Sequence, residues 1–186
     1  MFSKILTKLI DQAIVPAIML LATRVISVAL IARYFDIDMT ISQSGFTFSR
    51  PSEYVLVNSY STLFMVISLT VGLLYILLKS YIFHESHVSP EMTAKLFSLR
   101  ISSLIQTSFD VYSQGVVWLS YLYLIMMVSG ILALFGLIYL WVFYSSAVLA
   151  VISTILLIFD VENELSAFKN NHEKTDTGYL EEEYDE

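Results

Sequence analysis

The chain has 186 residues, of which 56% are hydrophobic and 15% charged, with a mean hydropathy of +0.70. Soluble domains typically carry about 45–50% apolar and about 25% charged residues, so this composition excludes an ordinary water-soluble, disordered or collagen-like chain. Cysteine is absent, which excludes disulfide frameworks, thiolate metal sites and cysteine nucleophiles. The net charge of −7 is uneven: from Asp160 to Glu186 ten acids face two lysines, while residues 1–159 carry eight basic and seven acidic side chains. All of the acidity belongs to the C-terminal tail.

Three stretches are charge-free or nearly so: residues 12–32 contain only Arg24, and residues 54–78 and 111–159 contain no charge. A helix needs about 20 apolar residues to cross a bilayer core of about 30 Å. The last run holds 49 residues and would reach about 73 Å as one helix, which suits two spans joined by a turn. That turn falls within Leu134–Tyr139, around Gly136, or alternatively nearer Ser145 and Ser146. The expected fold is an all-α integral membrane protein: a four-span helix bundle over residues 1–160, with spans at about 12–34, 55–80, 115–135 and 138–159, and a disordered acidic tail over 161–186. Trp141, Tyr139 and Tyr144 are expected near one membrane interface and Trp118 near the other.

In chain order, Phe2, Ile5, Leu6, Leu9 and Ile10 form one helical face, and Ser3, Lys4, Thr7, Lys8 and Asp11 the other. This is the pattern of an amphipathic helix lying in the membrane surface, with its lysines among lipid headgroups. A straight run into the first span is the alternative. Pro16 removes a backbone donor early in that span and is expected to kink it.

Arg24 is the sharpest feature of the chain. Its nearest acids in sequence are Asp11 and Asp36, which places it near the bilayer centre, where an arginine costs about 2.5–3.5 kcal/mol on insertion scales. Antiparallel depth matching sets Ser68, Ser129, Ser145 and Ser146 roughly level with it. Hydroxyls accept its hydrogen bonds but do not neutralise its charge. Three readings follow: an acid on another chain or an anionic lipid, a hydrated pathway, or snorkelling to an interface.

Between the first two spans, Ile37, Met39 and Ile41 alternate with Asp38, Thr40 and Ser42, and Phe46 and Phe48 resume after Gln43-Ser44-Gly45. Period-two alternation broken at a glycine suggests a short β-hairpin, against a plain ordered loop. An isolated hairpin is marginal in water, so its apolar face needs cover. Asn58 is placed near the external end of the second span, within reach of water.

In the middle loop, His84, His87 and Glu91 are the only metal-like cluster, and Ser89-Pro90 breaks any helix between them, so no metal or cofactor site is expected. Ser89-Pro90-Glu91 is a helix start. The helix is expected to run to about Ser108 as a membrane-surface coupling helix, with Phe97, Ile101, Leu104 and Ile105 in one stripe and Met92, Leu96 and Leu99 in another. Small residues recur four apart, including Ser68 and Gly72, Ser129 and Ala133, and Ser146 and Ala150, as close helix packing in lipid requires. In the tail, Tyr179, Leu180 and Tyr184 interleave with acids, as a solvated end or as a docking segment for a basic cytosolic partner.

Lys4, Lys8, Lys79, Lys95, Arg100, Lys169 and Lys174 fall on one side of a four-span bundle and Arg33 and Arg50 on the other. The bias puts both termini in the cytoplasm. No intramembrane acid pair, H-E-x-x-H, G-x-S-x-G or phosphate-binding loop is present, so neither enzymatic activity nor nucleic-acid binding is expected. The expectation is a non-enzymatic accessory or scaffold subunit of a larger membrane complex, contacting lipid and other subunits or itself. The alternative is a small homo-oligomeric channel or transporter with Arg24 lining an anion-favouring pathway.

Overall fold

The computed structural model describes residues 2–42, 45–83, 90–99 and 108–182. These form, in order, α1 (Phe2–Tyr34), β1 (Met39–Ser42), β2 (Gly45–Phe48), α2 (Pro51–Phe83), α3 (Pro90–Ser98), α4 (Ser108–Leu134) and α5 (Leu140–Glu182). Four of the helices are long and apolar enough to cross a membrane: Leu6–Tyr34, Pro51–Ile82, Phe109–Leu134 and Leu140–Asn163. α2 packs against α1, α4 and α5, and α1 also packs against α4.

Two helices end in the same device. Asp36 takes a left-handed backbone (φ 53°), with Ile37 N–H donating to the Ala32 carbonyl at 2.8 Å and Asp36 N–H to Arg33 at 3.4 Å. Gly136 (φ 69°) repeats it, with Leu137 N–H on Leu132 at 2.9 Å and Gly136 N–H on Ala133 at 3.0 Å. Both are Schellman caps, which satisfy the last helical carbonyls and reverse the chain. The second puts the α4–α5 turn at Phe135–Tyr139, the Gly136 placement rather than the Ser145-Ser146 one. α2 starts at Pro51, and the Glu53 carboxylate accepts from Arg50 N–H at 3.1 Å, which is one half of a capping box.

The alternating segment does form a hairpin. β1 and β2 pair antiparallel, Met39 opposite Phe48 and Ile41 opposite Phe46, and Thr40 and Thr47 share a cross-strand hydrogen bond of 2.6 Å on the exposed face. Met39, Phe46 and Phe48 pack with Ile37 on buried Val28, Ile31 and Val57. The bundle thus supplies the apolar cover that an isolated two-stranded ribbon lacks.

The main core lies deeper, around Leu20, Val66, Leu69, Leu73, Val111, Trp118 and Leu122. Outside it the polarity is the reverse of a soluble protein's. Leu21 is 70% exposed, Leu78 62% and Met127 62%, whereas Ser59, Ser61, Ser129 and Ser146 are fully buried. Buried hydroxyls turn inward to backbone carbonyls one turn back, as Ser59 does to Val55 at 2.6 Å and Ser146 to Val142 at 2.5 Å.

The helices differ from expectation at particular points. The N-terminal segment is not a separate surface helix: α1 runs unbroken from Phe2 through Pro16 to Tyr34, and burial of Pro16 in the bundle offsets its one missing donor. Trp118 faces inward into the core instead of outward as an aromatic-belt residue would, its ring lying directly on Gly72. α3 is described over Pro90–Ser98, with Leu96 buried and Phe97 exposed, while the rest of the expected helix, with Ile101, Leu104 and Ile105, lies outside the described residues. The tail is helical through Glu182 where its composition predicts an unstructured segment. The apolar first part of α5, already helical, removes the nucleation cost, so each further residue adds one backbone hydrogen bond without a new nucleus.

Candidate functional site

The hairpin, the start of α2 and the α4–α5 turn meet at one end of the bundle, here called the hairpin end, and Arg24 reaches into this layer from α1. Its guanidinium donates to Ser61 Oγ and, at 2.5 Å, to Asn58 Oδ1. Asn58 passes the link on: its Nδ2 donates to the Leu137 carbonyl at 3.0 Å. Beside it, Tyr139 N–H donates to Ser59 Oγ at 2.8 Å. The local sequence explains this convergence. Asn58, Ser59 and Ser61 lie within one turn of α2, so they face α1 and the α4–α5 turn from a single level. Ser61 and Thr62 also donate to the Asn58 carbonyl, at 3.1 and 2.8 Å, which anchors the turn of helix that presents them.

A guanidinium has five N–H donors in a fixed fork, and two of these are placed on Asn58 and Ser61. A cavity of about 200 Å³ adjoins it, bounded by Arg24, Asn58 and Tyr54 and closed by Val28, Val57 and the hairpin rings of Phe46 and Phe48. The Phe48 and Tyr54 rings meet edge to face at 6.1 Å. Both ion pairs among the described residues, Lys8–Asp110 and Arg50–Glu53, lie elsewhere, so the charge of Arg24 is met here by neutral oxygens. Chemically, the arrangement is a fixed cation with spare donors on the polar side of a chamber walled opposite by aromatic rings, which suits a small anionic group such as a carboxylate, halide or phosphate oxygen.

Arg24 hydrogen-bonds to Asn58 and Ser61 and not to the serines expected level with it, although Ser68 does lie at its level. Ser68 pairs with Thr23, the neighbour of Arg24, at 3.1 Å. Ser129 and Ser146 pair with each other across α4 and α5 at 3.2 Å, and Ser145 is half-buried on α5. The actual partners, Asn58 and Ser61, belong to the hairpin end because the long arginine side chain climbs from its own level. Asn58 does not face water: it is 4% exposed. Its signal was present in the sequence, as the one carboxamide in the charge-free stretch 54–78. Tyr60 stacks edge to face on Trp141 at 5.8 Å and lies 5.9 Å from Phe35, which places Trp141 in an aromatic cluster with residues that follow or flank this layer.

At the opposite end, Lys8 makes an ion pair with Asp110 and lies 5.4 Å over the Phe109 ring, while Leu9 is exposed. A groove of about 870 Å³ opens there between α1, α2 and α4 and runs from Lys8 and Asp11 to Ser68. Phe2, Lys4 and Ile5 belong to the α1 backbone, and Tyr179 and Leu180 to that of α5. Tyr184, His84 and His87 lie outside the described residues. Comparison of the chain with family models, with curated proteins and with solved structures returns no match.

Proposed function

We propose that the protein is a four-span integral membrane protein that acts, without catalysis of its own, as an accessory or scaffold subunit of a larger membrane assembly. In this reading Arg24 holds an anionic group of a neighbour, the carboxylate of another chain or a lipid phosphate, beside the hairpin. The reversed polarity, with leucine and methionine outside and serine inside, supports a bilayer as the solvent. The Lys/Arg bias supports cytoplasmic termini, and the acidic tail would then meet a basic cytosolic surface, with Tyr179, Leu180 and Tyr184 as its apolar contacts. The observation that carries the proposal is the unneutralised guanidinium on the wall of a cavity. Intramembrane ionisable groups are costly, so a matching charge is the default expectation for one held in place.

The test is extraction of the native protein in mild detergent, followed by the mass and composition of what travels with it. A stoichiometric set of different chains that thins out in Arg24→Gln is the expected result. A closed ring of this chain alone, unchanged by the substitution, would overturn the subunit role.

A second reading, a small homo-oligomeric channel or transporter, draws on one observation: the Thr23–Ser68 hydrogen bond continues the polar seam from Arg24 towards the opposite groove. Anion flux in liposomes that falls in Arg24→Gln would favour it.

A further inference from the structure

The groove at the opposite end of the bundle from Arg24 is graded in polarity along its length. Its mouth is formed by Lys8, Asp11 and Gln12 of α1 and Gln114 of α4; its deep wall is Met19 and the Trp118 ring seated on Gly72. From Lys8 to Met19 is eleven residues of helix, about 16 Å, or about half of a bilayer core. A volume of about 870 Å³ that is mainly apolar, with a few polar groups at one end, has the character of a small-molecule site.

The hydrogen bonding at the mouth is incomplete in one direction. Ser113 Oγ donates its proton to the Asp110 carbonyl at 3.1 Å, so towards Gln12 it acts as an acceptor. The Gln12 amide nitrogen must therefore be the donor in the 3.0 Å contact between them, which fixes the orientation of the amide. Gln12 Oε1 is then a buried acceptor without a partner. Next to it, the Asp11 carboxylate has no ion-pair partner among the described residues. A buried unsatisfied acceptor costs about 1–3 kcal/mol, so the mouth calls for an incoming donor, and a positively charged one for preference. Lys8, one turn earlier, supplies a cation beside these acceptors.

We infer that this groove binds a phospholipid with a primary-amine head group, its ammonium donating to Gln12 Oε1 and Asp11, its phosphate near Lys8, and one acyl chain lying along Met19 and Trp118. The inference rests on the reading that α1, α2 and α4 cross a bilayer. A primary ammonium has N–H donors and a quaternary choline head has none, while the phosphate and chains can be identical; this makes the two lipids a matched pair for Gln12.

The experiment uses the full chain in nanodiscs of equimolar phosphatidylethanolamine and phosphatidylcholine with the same acyl chains, released into native mass spectrometry. The wild type is expected to retain the ethanolamine lipid over the choline lipid by about threefold to tenfold, the ratio that one net hydrogen bond supplies. Gln12→Leu and Asp11→Asn should each bring the ratio towards one with the helical circular dichroism unchanged. Met19→Trp, which fills the deep end, should lower retention of both lipids. Equal retention by the wild type, or a preference that survives both mouth substitutions, would overturn the site. Release of the chain from membranes by alkaline carbonate would instead overturn the four-span reading itself, so the two failures are distinguishable.

Discussion

Asn58 is the residue through which three parts of the bundle hold one another, and Asn58→Leu is the perturbation that measures the link. The substitution keeps the number and branching of the side-chain heavy atoms and removes the acceptor for Arg24 and the donor to Leu137. A hydrogen bond to a charged group contributes about 1.5–3 kcal/mol and a neutral one about 0.5–1.5 kcal/mol. The buried leucine recovers part of this, so a net loss of about 2–3 kcal/mol is expected. The diagnostic is the cycle with Arg24→Leu: once the charge is gone, Asn58→Leu should cost only the Leu137 bond, about 1 kcal/mol, giving a coupling of about 1–2 kcal/mol between the two positions. Reversible unfolding in mixed micelles, followed by far-ultraviolet circular dichroism, reads each corner of the cycle. Additive losses, with no coupling, would refute the Arg24–Asn58 link.

Three further outcomes follow from the packing. A methyl group on Gly72 would overlap the Trp118 ring, so Gly72→Ala should destabilise by about 1–3 kcal/mol despite its better helix propensity, and Trp118→Leu should relieve most of that loss in the double variant. At Gly136 a β-carbon meets nothing within 4 Å, so Gly136→Ala should cost only the left-handed backbone, about 1 kcal/mol, and Gly136→Asn less; equal losses in melting experiments would argue against the Schellman turn. Phe48→Ser removes part of the cavity roof, and peptide mapping after phenylglyoxal treatment should show faster modification of Arg24 with the helical signal retained. An unchanged rate would mean that the hairpin does not screen the guanidinium.

How far the sequence discloses this structure depends on the length scale of the signal. Charge-free runs and their lengths identify the four long helices, because each needs only its own composition; Gly136 identifies the turn because few residues adopt its backbone. The hairpin is legible from alternation over eight residues. What hydropathy leaves open is the rotation of each helix about its axis. Trp118 looks like a belt residue in one dimension, yet it faces Gly72 in three, and the interlocking of ring and glycine is a property of two helices together. Arg24 fails for a related reason: depth matching by counting assigns the level of its Cα, whereas its side chain ends a turn or more away, where Asn58 and Ser61 are. The continuity of α1 through Pro16 is equally a tertiary matter, since a first turn of polar and apolar residues reads alike for a surface helix and for the start of a span.

The climb of that side chain is itself the argument for what Arg24 does. α1 continues ten residues beyond Arg24 to Tyr34, about 15 Å along the axis, so a guanidinium pointing outward would stand in the apolar surface formed by Val25, Ile26 and Leu30. It turns inward instead, to a level shared by α2 and the α4–α5 turn, which is snorkelling directed into the protein rather than around it. Holding the fold and presenting a charge are then separate properties of one side chain. Glutamine at this position keeps amide donors, on a shorter side chain, but no charge, whereas leucine keeps neither. If Arg24 is there to tie the helices, Arg24→Gln should retain most of the stability and all of the assembly. If it is there to hold an anion, Arg24→Gln should retain the stability and lose the partner, and only Arg24→Lys, with a charge but not the fork, should recover part of it.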